Sequence, residues 1–267
     1  MARPVITLLT DFGLHDHFAG VMKGVILGIC PDAAIVDITH DLPAQNVAEA
    51  AFVLACAYPY FPARTVHVAV VDPGVGGGRR PLAARCGEHL FVGPDNGIFS
   101  YVFADAEDWQ AVAITNPECR LPKTSATFHG RDVFAPAAAH LAAGMGLEAL
   151  GPVVTDPVPL DVPTPVETDA GLEAHVLHVD RFGNLVTDLT EERFAAWLGG
   201  NDAGGVVIQA GPASIEGIAE CYDAVAEGRP LAIFGSAGRL EISVNRGSAS
   251  ELLRARRGNR VLLRRRR

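Results

Sequence analysis

The apolar positions in the first 150 residues fall into short runs rich in valine and isoleucine: "PVITLLTD", "AAIVDIT", "TVHVAVVD", "HLFVGPD" and "WQAVAIT", each bounded by Asp, Gly or Pro. Runs that are apolar on both faces are the mark of strands buried on two sides. Between them the period lengthens to that of helices. Asn46 can cap one helix, with Glu49 completing a capping box and Val47, Ala51, Leu54 and Tyr58 falling on one face. "RDVFAPAAAHLAAG", from Arg131, predicts a second helix that stops at a glycine. Strands alternating with helices predict a mostly parallel sheet covered on both sides, an N-terminal α/β/α sandwich.

The pattern changes at residues 152–170, "PVVTDPVPLDVPTPVETDA", where five prolines stiffen the chain. Beyond it, "EAHVLHVD", "GNLVTDL", "GGVVIQA", "LAIFGS", "RLEISV" and "NRVLLRR" read as short strands separated by turns, with one helix, "TEERFAAWL", capped by Thr190. The expected organisation is an N-terminal α/β domain over residues 1–155, a proline-rich linker over 156–170, and a smaller C-terminal antiparallel β-barrel domain over 171–267.

Composition narrows the class. The chain has 267 residues, 49% apolar and 20% charged, and no apolar run near the roughly 20 residues that span a bilayer. "MARPVITLLTDFG" passes straight into a strand-like run and lacks an apolar helix with a small-residue cleavage site, so it is not expected to be a secretory signal. The five cysteines, Cys30, Cys56, Cys86, Cys119 and Cys221, are scattered without a C-x-x-C pair, as in a reduced cytoplasmic protein. A net charge of −9 argues against nucleic acid as a partner. Residues 254–267, "RARRGNRVLLRRRR", are the exception, with eight arginines read as a last strand and a solvated basic tail.

Candidate chemistry collects where strands end, because ligands of open α/β sheets bind there. Asp11, Asp72, Asp95 and Asn96 each follow an apolar run, so they suggest one pocket edge that holds hydroxyls or a cation. "VVDPGVGGGRR" continues Asp72 into a glycine loop closed by Arg79 and Arg80. It lacks the Lys-Ser/Thr of a Walker A loop and the helix-opening glycines of a dinucleotide fingerprint. "TFHGRDVFAP" sets His129 just before a helix, as base, ligand or cap. "HDH" at 15–17, with Asp11 and His40, leaves a metal cluster as a minor alternative.

"LLTDFGLHDHFAGVMKGVILGICPDAAIVDITHDLPAQNVAEAAFVL", "VVDPGVGGGRRPLAAR", "VGPDNGIFSYV", "TFHGRDVFAPAAAHLAAG", "DRFGNLVTDL" and "FGSAGRLEISVNRGSA" together resemble the S-adenosyl-L-methionine (SAM) hydroxide adenosyltransferases, or SAM hydrolases, relatives of the SAM-dependent fluorinase and chlorinase. The resemblance covers nearly the whole chain. It implies hydrolysis of SAM to adenosine and L-methionine, no cofactor and no metal, and a homotrimer with active sites at subunit interfaces. It implies an Asp–Arg–His triad at Asp72, Arg79 and His129 that activates water for attack on ribose C5′. The halogenases have tyrosine in place of the acid of "VVDPG", which places this chain on the hydroxide side.

The same resemblance implies binding roles. Asp11 would grip the ribose hydroxyls, and Asp95 and Asn96 would line the pocket. Asp180, Asn184 and Ser236 would hold the methionine end, Phe182 would stack on adenine, and backbone near Val244 and Arg246 would read its edge. Val186 and Ala237 stand where the halogenases carry tryptophan and arginine, which leaves the methionine carboxylate without its expected clamp. Two rival readings remain at this stage: a metal-dependent nucleoside or nucleotide hydrolase using Asp11, His15, His17 and Asp72, and a non-catalytic SAM- or adenosine-binding protein.

Overall fold

The computed structural model of the chain describes residues 3–200 and 202–266, and it divides into two compact units, Met1–Asp161 and Val162–Arg267. The first unit has strands β1 (Val5–Thr10), β2 (Ala34–Thr39), β3 (Val66–Val70), β4 (Pro81–Cys86), β5 (His89–Pro94), β6 (Trp109–Ala113) and β7 (Val153–Val154). Its helices are α1 (Phe18–Ile29), α2 (Val47–Ala57), α3 (Ser100–Asp105) and α4 (Ala135–Ala142). The strands form one sheet in the order β2-β1-β3-β5-β4-β6-β7.

Strands β2, β1, β3 and β5 are mutually parallel. The next three pairings, β5–β4, β4–β6 and β6–β7, are antiparallel, so β4 and β7 alone run against the other five. The reversal comes from a short β4–β5 hairpin, which turns the chain back after the glycine loop. The all-apolar strands are explained by cover on both faces. Ile6, Leu8, Val66, Val68 and Val70 face Met22, Ile26 and α4, while Leu9, Ala69 and Phe91 face Ala50, Leu54 and Phe99. The expected cap of α2 is present: Asn46 Oδ1 accepts the Glu49 N–H at 3.2 Å, and its amide donates to the Glu49 carboxylate at 2.6 Å. Tyr58 lies just past that helix, in a 3₁₀ turn.

The helix expected from Arg131 opens differently from an ordinary one. Gly130–Phe134 is a π-turn, with the Ala135 N–H reaching back to Gly130 O, and α4 follows directly. The first residues of the proline-rich stretch are tied to this unit: Val158 N donates to Asp95 Oδ1 at 2.8 Å and Leu160 N to Ser100 Oγ at 2.7 Å.

The second unit contains β8 (Val166–Thr168), β9 (Gly171–Val179), β10 (Leu185–Thr190), β11 (Val206–Ala210), β12 (Ala213–Glu216), β13 (Pro230–Phe234), β14 (Arg239–Val244) and β15 (Arg260–Arg265), with helices α5 (Glu191–Leu198) and α6 (Ala249–Leu253). All pairings are antiparallel, in the order β12-β11-β15-β9-β10-β14-β13 with β8 on β9. Ala219 N donates to Ala232 O at 2.8 Å, which draws the chain after β12 onto β13 and nearly closes the sheet into a barrel. Its interior holds Leu172, Val176, Leu240, Ile242, Val261 and Leu263, closed by Phe194 and Trp197 of α5. Thr190 caps α5 by accepting the Arg193 N–H at 3.2 Å.

The arginine-rich C-terminus is partly built in. Strand β15 runs through Arg265, whose guanidinium lies 4.6 Å over the Trp197 ring, and Arg266 N donates to Gly205 O at 2.7 Å. Arg267 lies outside the described residues.

Candidate active site

At the C-terminal ends of β1 and β3 the first unit has a cavity of about 430 Å³ lined by Asp11, Gln45, Asp72, Val75, Phe128 and His129, among others. Each wall is set by local backbone demands. Asp72 follows β3 by two residues, and the glycine loop then folds on itself, with Val75 N donating to Asp72 O and Gly77 N to Gly74 O. Gly76 has φ +76°, and a Cβ there would sit 2.1 Å from Ala126 O. Only glycine allows this loop to lie against the 125–128 segment.

Arg79 closes the loop and points back into it. Its Nε donates to Asp72 Oδ1 at 2.9 Å, its Nη2 to Asp72 Oδ2, and the same Nη2 to His129 Nδ1 at 2.8 Å. The Asp72 and Arg79 side chains are only 5% and 10% exposed, so the pair is well shielded. The three residues named from sequence are therefore in one hydrogen-bonded set.

That set constrains protons. A guanidinium has no acceptor, so Nδ1 of His129 must accept. The neutral ring then carries its hydrogen on Nε2. Burial first, then the charge of Arg79, push the His129 pKa below the ordinary histidine value, with Asp72 pulling the other way. Protonation of Nδ1 would oppose two N–H groups. His129 is thus held neutral, as a donor through Nε2, and Asp72 is the group in the set that carries a negative charge.

A further cation escaped the sequence reading. The charge of Arg120 also acts on His129, and burial first, then the charge of Arg79, lower the pKa of Arg120 itself. Its Nη2 donates to Ile114 O, while its buried Nε has no hydrogen-bond partner. Beside the Asp72–Arg79 pair, Arg120 leaves a local excess of positive charge. No motif marks it, since it is 41 residues from Arg79 in an irregular segment.

Asp11 sits on the other side of the cavity, its Oδ2 accepting the Gln45 N–H at 2.7 Å. The adjoining backbone is gripped by buried His40, whose Nδ1 is 2.7 Å from Thr10 Oγ1 and whose carbonyl accepts Gly13 N–H at 2.7 Å. His40 Nε2 lies 3.1 Å from Asp37 Oδ1. The histidines raised as metal ligands go elsewhere: the His15 side chain is 99% exposed, and the His17 ring packs on Phe18 at 4.6 Å. Among the described residues, no three His, Cys, Asp or Glu side chains are grouped to hold a metal ion.

Asp95 and Asn96 do not line the cavity, contrary to the expectation from their place at a strand end. Buried Asp95 accepts Arg80 Nε at 2.7 Å and Val158 N at 2.8 Å, so both oxygens serve the chain itself. Asn96 donates to Val71 O at 2.9 Å, fixing the residue before Asp72.

In the second unit, Asp180 Oδ1 accepts the N–H groups of Phe182 and Asn184, and its Oδ2 accepts the Asn184 side-chain amide at 2.8 Å. This Asx-type turn presents Phe182, 76% exposed. Ser236 lies exposed in the β13–β14 turn, Val244 is buried at the end of β14, and Arg246 follows with φ +54°. Glu241 of β14 was also missed. Burial first, then Asp180, push its pKa up.

Residues 6–151 match the profile of the SAM hydroxide adenosyltransferase N-terminal domain, and residues 174–262 that of its C-terminal domain. An (R)-S-adenosyl-L-methionine hydrolase of Thermus thermophilus is 43% identical over 98% of this chain and 99% of its own length. One from Salinispora arenicola is 40% identical over 94% of each. The crystal structure of an uncharacterized conserved protein from Thermotoga maritima, 37% identical, superposes with a TM-score of 0.91 over 97% of this chain and all of its own. Two domain profiles in the same order, and relatives aligned over nearly their full length, leave one assignment: the chain belongs to the SAM hydroxide adenosyltransferase family.

Proposed function

We propose that this protein hydrolyses S-adenosyl-L-methionine to adenosine and L-methionine, with Asp72, Arg79 and His129 activating the water. The observation that carries the reading is the shared donor: one Arg79 nitrogen bonds both the Asp72 carboxylate and His129 Nδ1, two groups whose residues line the cavity. The hydrolase relatives support the choice of substrate, and their (R) prefix makes the R sulfonium epimer the form to test first.

The chemistry follows from charge. A sulfonium is a good leaving group: the C5′–S electron pair returns to sulfur and neutral methionine departs without acid help. The difficulty lies with the nucleophile, because hydroxide is scarce at neutral pH. In the proposed step a water oxygen accepts the His129 Nε2–H hydrogen bond and passes one proton to Asp72 as it forms the bond to C5′. Arg79, with Arg120 behind it, favours the anionic oxygen. General base help of this kind contributes about 10²–10⁴-fold, and placement in line with sulfur contributes more. Asp11, a carboxylate across the cavity whose Oδ2 accepts the Gln45 N–H, is suited to the ribose hydroxyls.

Phe182, Asp180, Asn184, Ser236, Val244 and Arg246 are proposed to complete the substrate site in a homotrimer, which the family resemblance supports. The protein is proposed to work in the cytoplasm, which its scattered cysteines without a C-x-x-C pair support. The test is incubation with each SAM epimer in ¹⁸O-water with EDTA, followed by mass spectrometry. Adenosine labelled at the 5′ oxygen, together with methionine, is expected. Release of adenine would mean glycosidic cleavage, and bound but unconverted SAM would make the protein a binder.

A further inference from the structure

The π-turn at Gly130–Phe134 begins immediately after His129, and it alters which residues share a face. On an α-helix, five residues advance about 140° past a full turn, so His129 and Phe134 would point apart. A turn closed by i→i+5 bonds brings residues five apart back over one another. Here both reach Arg79: His129 Nδ1 accepts its Nη2 at 2.8 Å, and the Phe134 ring centroid lies 5.2 Å from its Cζ. Phe134 is fully buried, so the ring is a fixed wall behind the guanidinium.

Something must hold the wider turn, since it gives up an ordinary helical bond. Asp132, 0% exposed, sits inside it. Its Oδ2 accepts Ser125 N at 2.8 Å, and its Oδ1 accepts Arg131 Nε at 2.6 Å. Ser125 Oγ in turn accepts Phe128 N at 3.0 Å and Thr127 N at 3.2 Å. The Asp132 backbone is also engaged at both ends, its N–H on Phe128 O and its carbonyl on Leu121 N–H. Arg131 then covers the Phe128 ring at 5.4 Å. Thr127, Phe128, His129 and Gly130, all cavity-lining, are therefore suspended from one buried carboxylate that does not itself line the cavity.

We infer that the π-turn is the device that aligns the water-activating set: it clamps the Arg79 guanidinium between the His129 ring and the Phe134 face, and Asp132 is the positioning residue that keeps the turn in that register. The inference rests on the reading of Asp72, Arg79 and His129 given above. Neither Phe134 nor Asp132 touches substrate; they act through Arg79 and His129.

The full chain serves for the test, with Phe134→Met, which conserves volume and removes the ring face, and Asp132→Asn. Two readouts are taken: kcat and KM for SAM, and the ¹⁵N signals of the His129 imidazole, assigned with a His129→Gln variant. In the wild type the ring is expected to show one tautomer, with hydrogen on Nε2. In each folded variant kcat falls by about tenfold to a hundredfold, as a displacement of about 1 Å of a catalytic group does. KM stays unchanged, and the imidazole signals move toward a mixture of tautomers. If Asp132→Asn does not fold, Phe134→Met decides. Wild-type kcat together with wild-type imidazole signals in folded Phe134→Met overturns the inference. A fall in kcat matched by a rise in KM overturns it too, because that points to a damaged pocket. If the wild type does not hydrolyse SAM, the proposed function fails, while the imidazole signals still decide whether the turn aligns the set.

Discussion

Replacing Arg79 by lysine keeps the charge and removes the fork. The guanidinium makes three contacts from two nitrogens, two on Asp72 and one on His129 Nδ1. An ammonium group at the end of an unbranched stem can keep one bond to Asp72, but it cannot also occupy Nδ1 in the same geometry. The His129 bond is the one that fixes the hydrogen on Nε2. Hydrogen bonds to charged groups contribute about 1.5–3 kcal/mol each. Losing the alignment from one or two of them in the transition state amounts to about 3 kcal/mol, which at 1.36 kcal/mol per tenfold is on the order of a hundredfold in kcat. KM should hold, because Asp11 and the rest of the cavity are untouched. Stability should fall only slightly, since Asp72 retains a cation; Arg79→Ala would instead leave a shielded carboxylate alone, at about 3–5 kcal/mol. Methionine release against SAM concentration, with thermal melts of all three proteins, separates these effects. Wild-type kcat in Arg79→Lys, or a loss confined to KM, would refute the argument that the fork sets the imidazole.

Four further outcomes are expected. Asp11→Asn should raise KM by about tenfold to a hundredfold with kcat little changed, as lost charge-assisted bonds do, read from the same assay. Gly76→Ala forces a Cβ into Ala126 O at a positive φ, so it should lower both melting temperature and kcat, as thermal melts and steady-state rates would show. His67 is buried, with its pKa pushed down to about 3 by burial and then His89. Its unfolded pKa is higher, so its contribution is complete above pH 6.5 and fades as pH falls toward 3; urea titrations at pH 5 should find about 2 kcal/mol lost relative to pH 7, and less in His67→Gln. Arg80→Gln orphans buried Asp95 and should cost about 3–5 kcal/mol in urea melts.

Much of this was legible in residue order. Every apolar run read as a strand became one, because valine and isoleucine bounded by turn residues leave little alternative. Strand β4 was not read, because "PLAARC" opens with proline and offers alanine and arginine where a strand reader seeks branched side chains. Its buried alanines make sense only beside β5 and β6. Asp72, Arg79 and His129 were singled out through motif resemblance, and the structure brings the three side chains into one hydrogen-bonded set. Asp95 misled because a strand-end carboxylate looks the same whether it faces a ligand or an arginine one residue past the loop. The π-turn left no periodic signal, since five residues are too few to tell one helical period from another. Arg120 and Glu241 matter through neighbours distant in sequence, which no local pattern announces.

Arg80 stands next to Arg79 and faces the opposite way, donating to Asp95 and to both the side chain and the carbonyl of Asp156. Asp95 in turn holds Val158 N, and Leu160 packs on Gly97. This bears on how the protein can be cut. A fragment ending near residue 151, where the first family profile stops, would include Asp72, Arg79 and His129 yet lack the peptide that anchors the end of the glycine loop. A fragment carried through Asp161 would retain that anchor. The limit of the first unit is therefore set by the partners of Arg80, an arginine outside the Asp72–Arg79–His129 set, several residues beyond the last strand of its sheet.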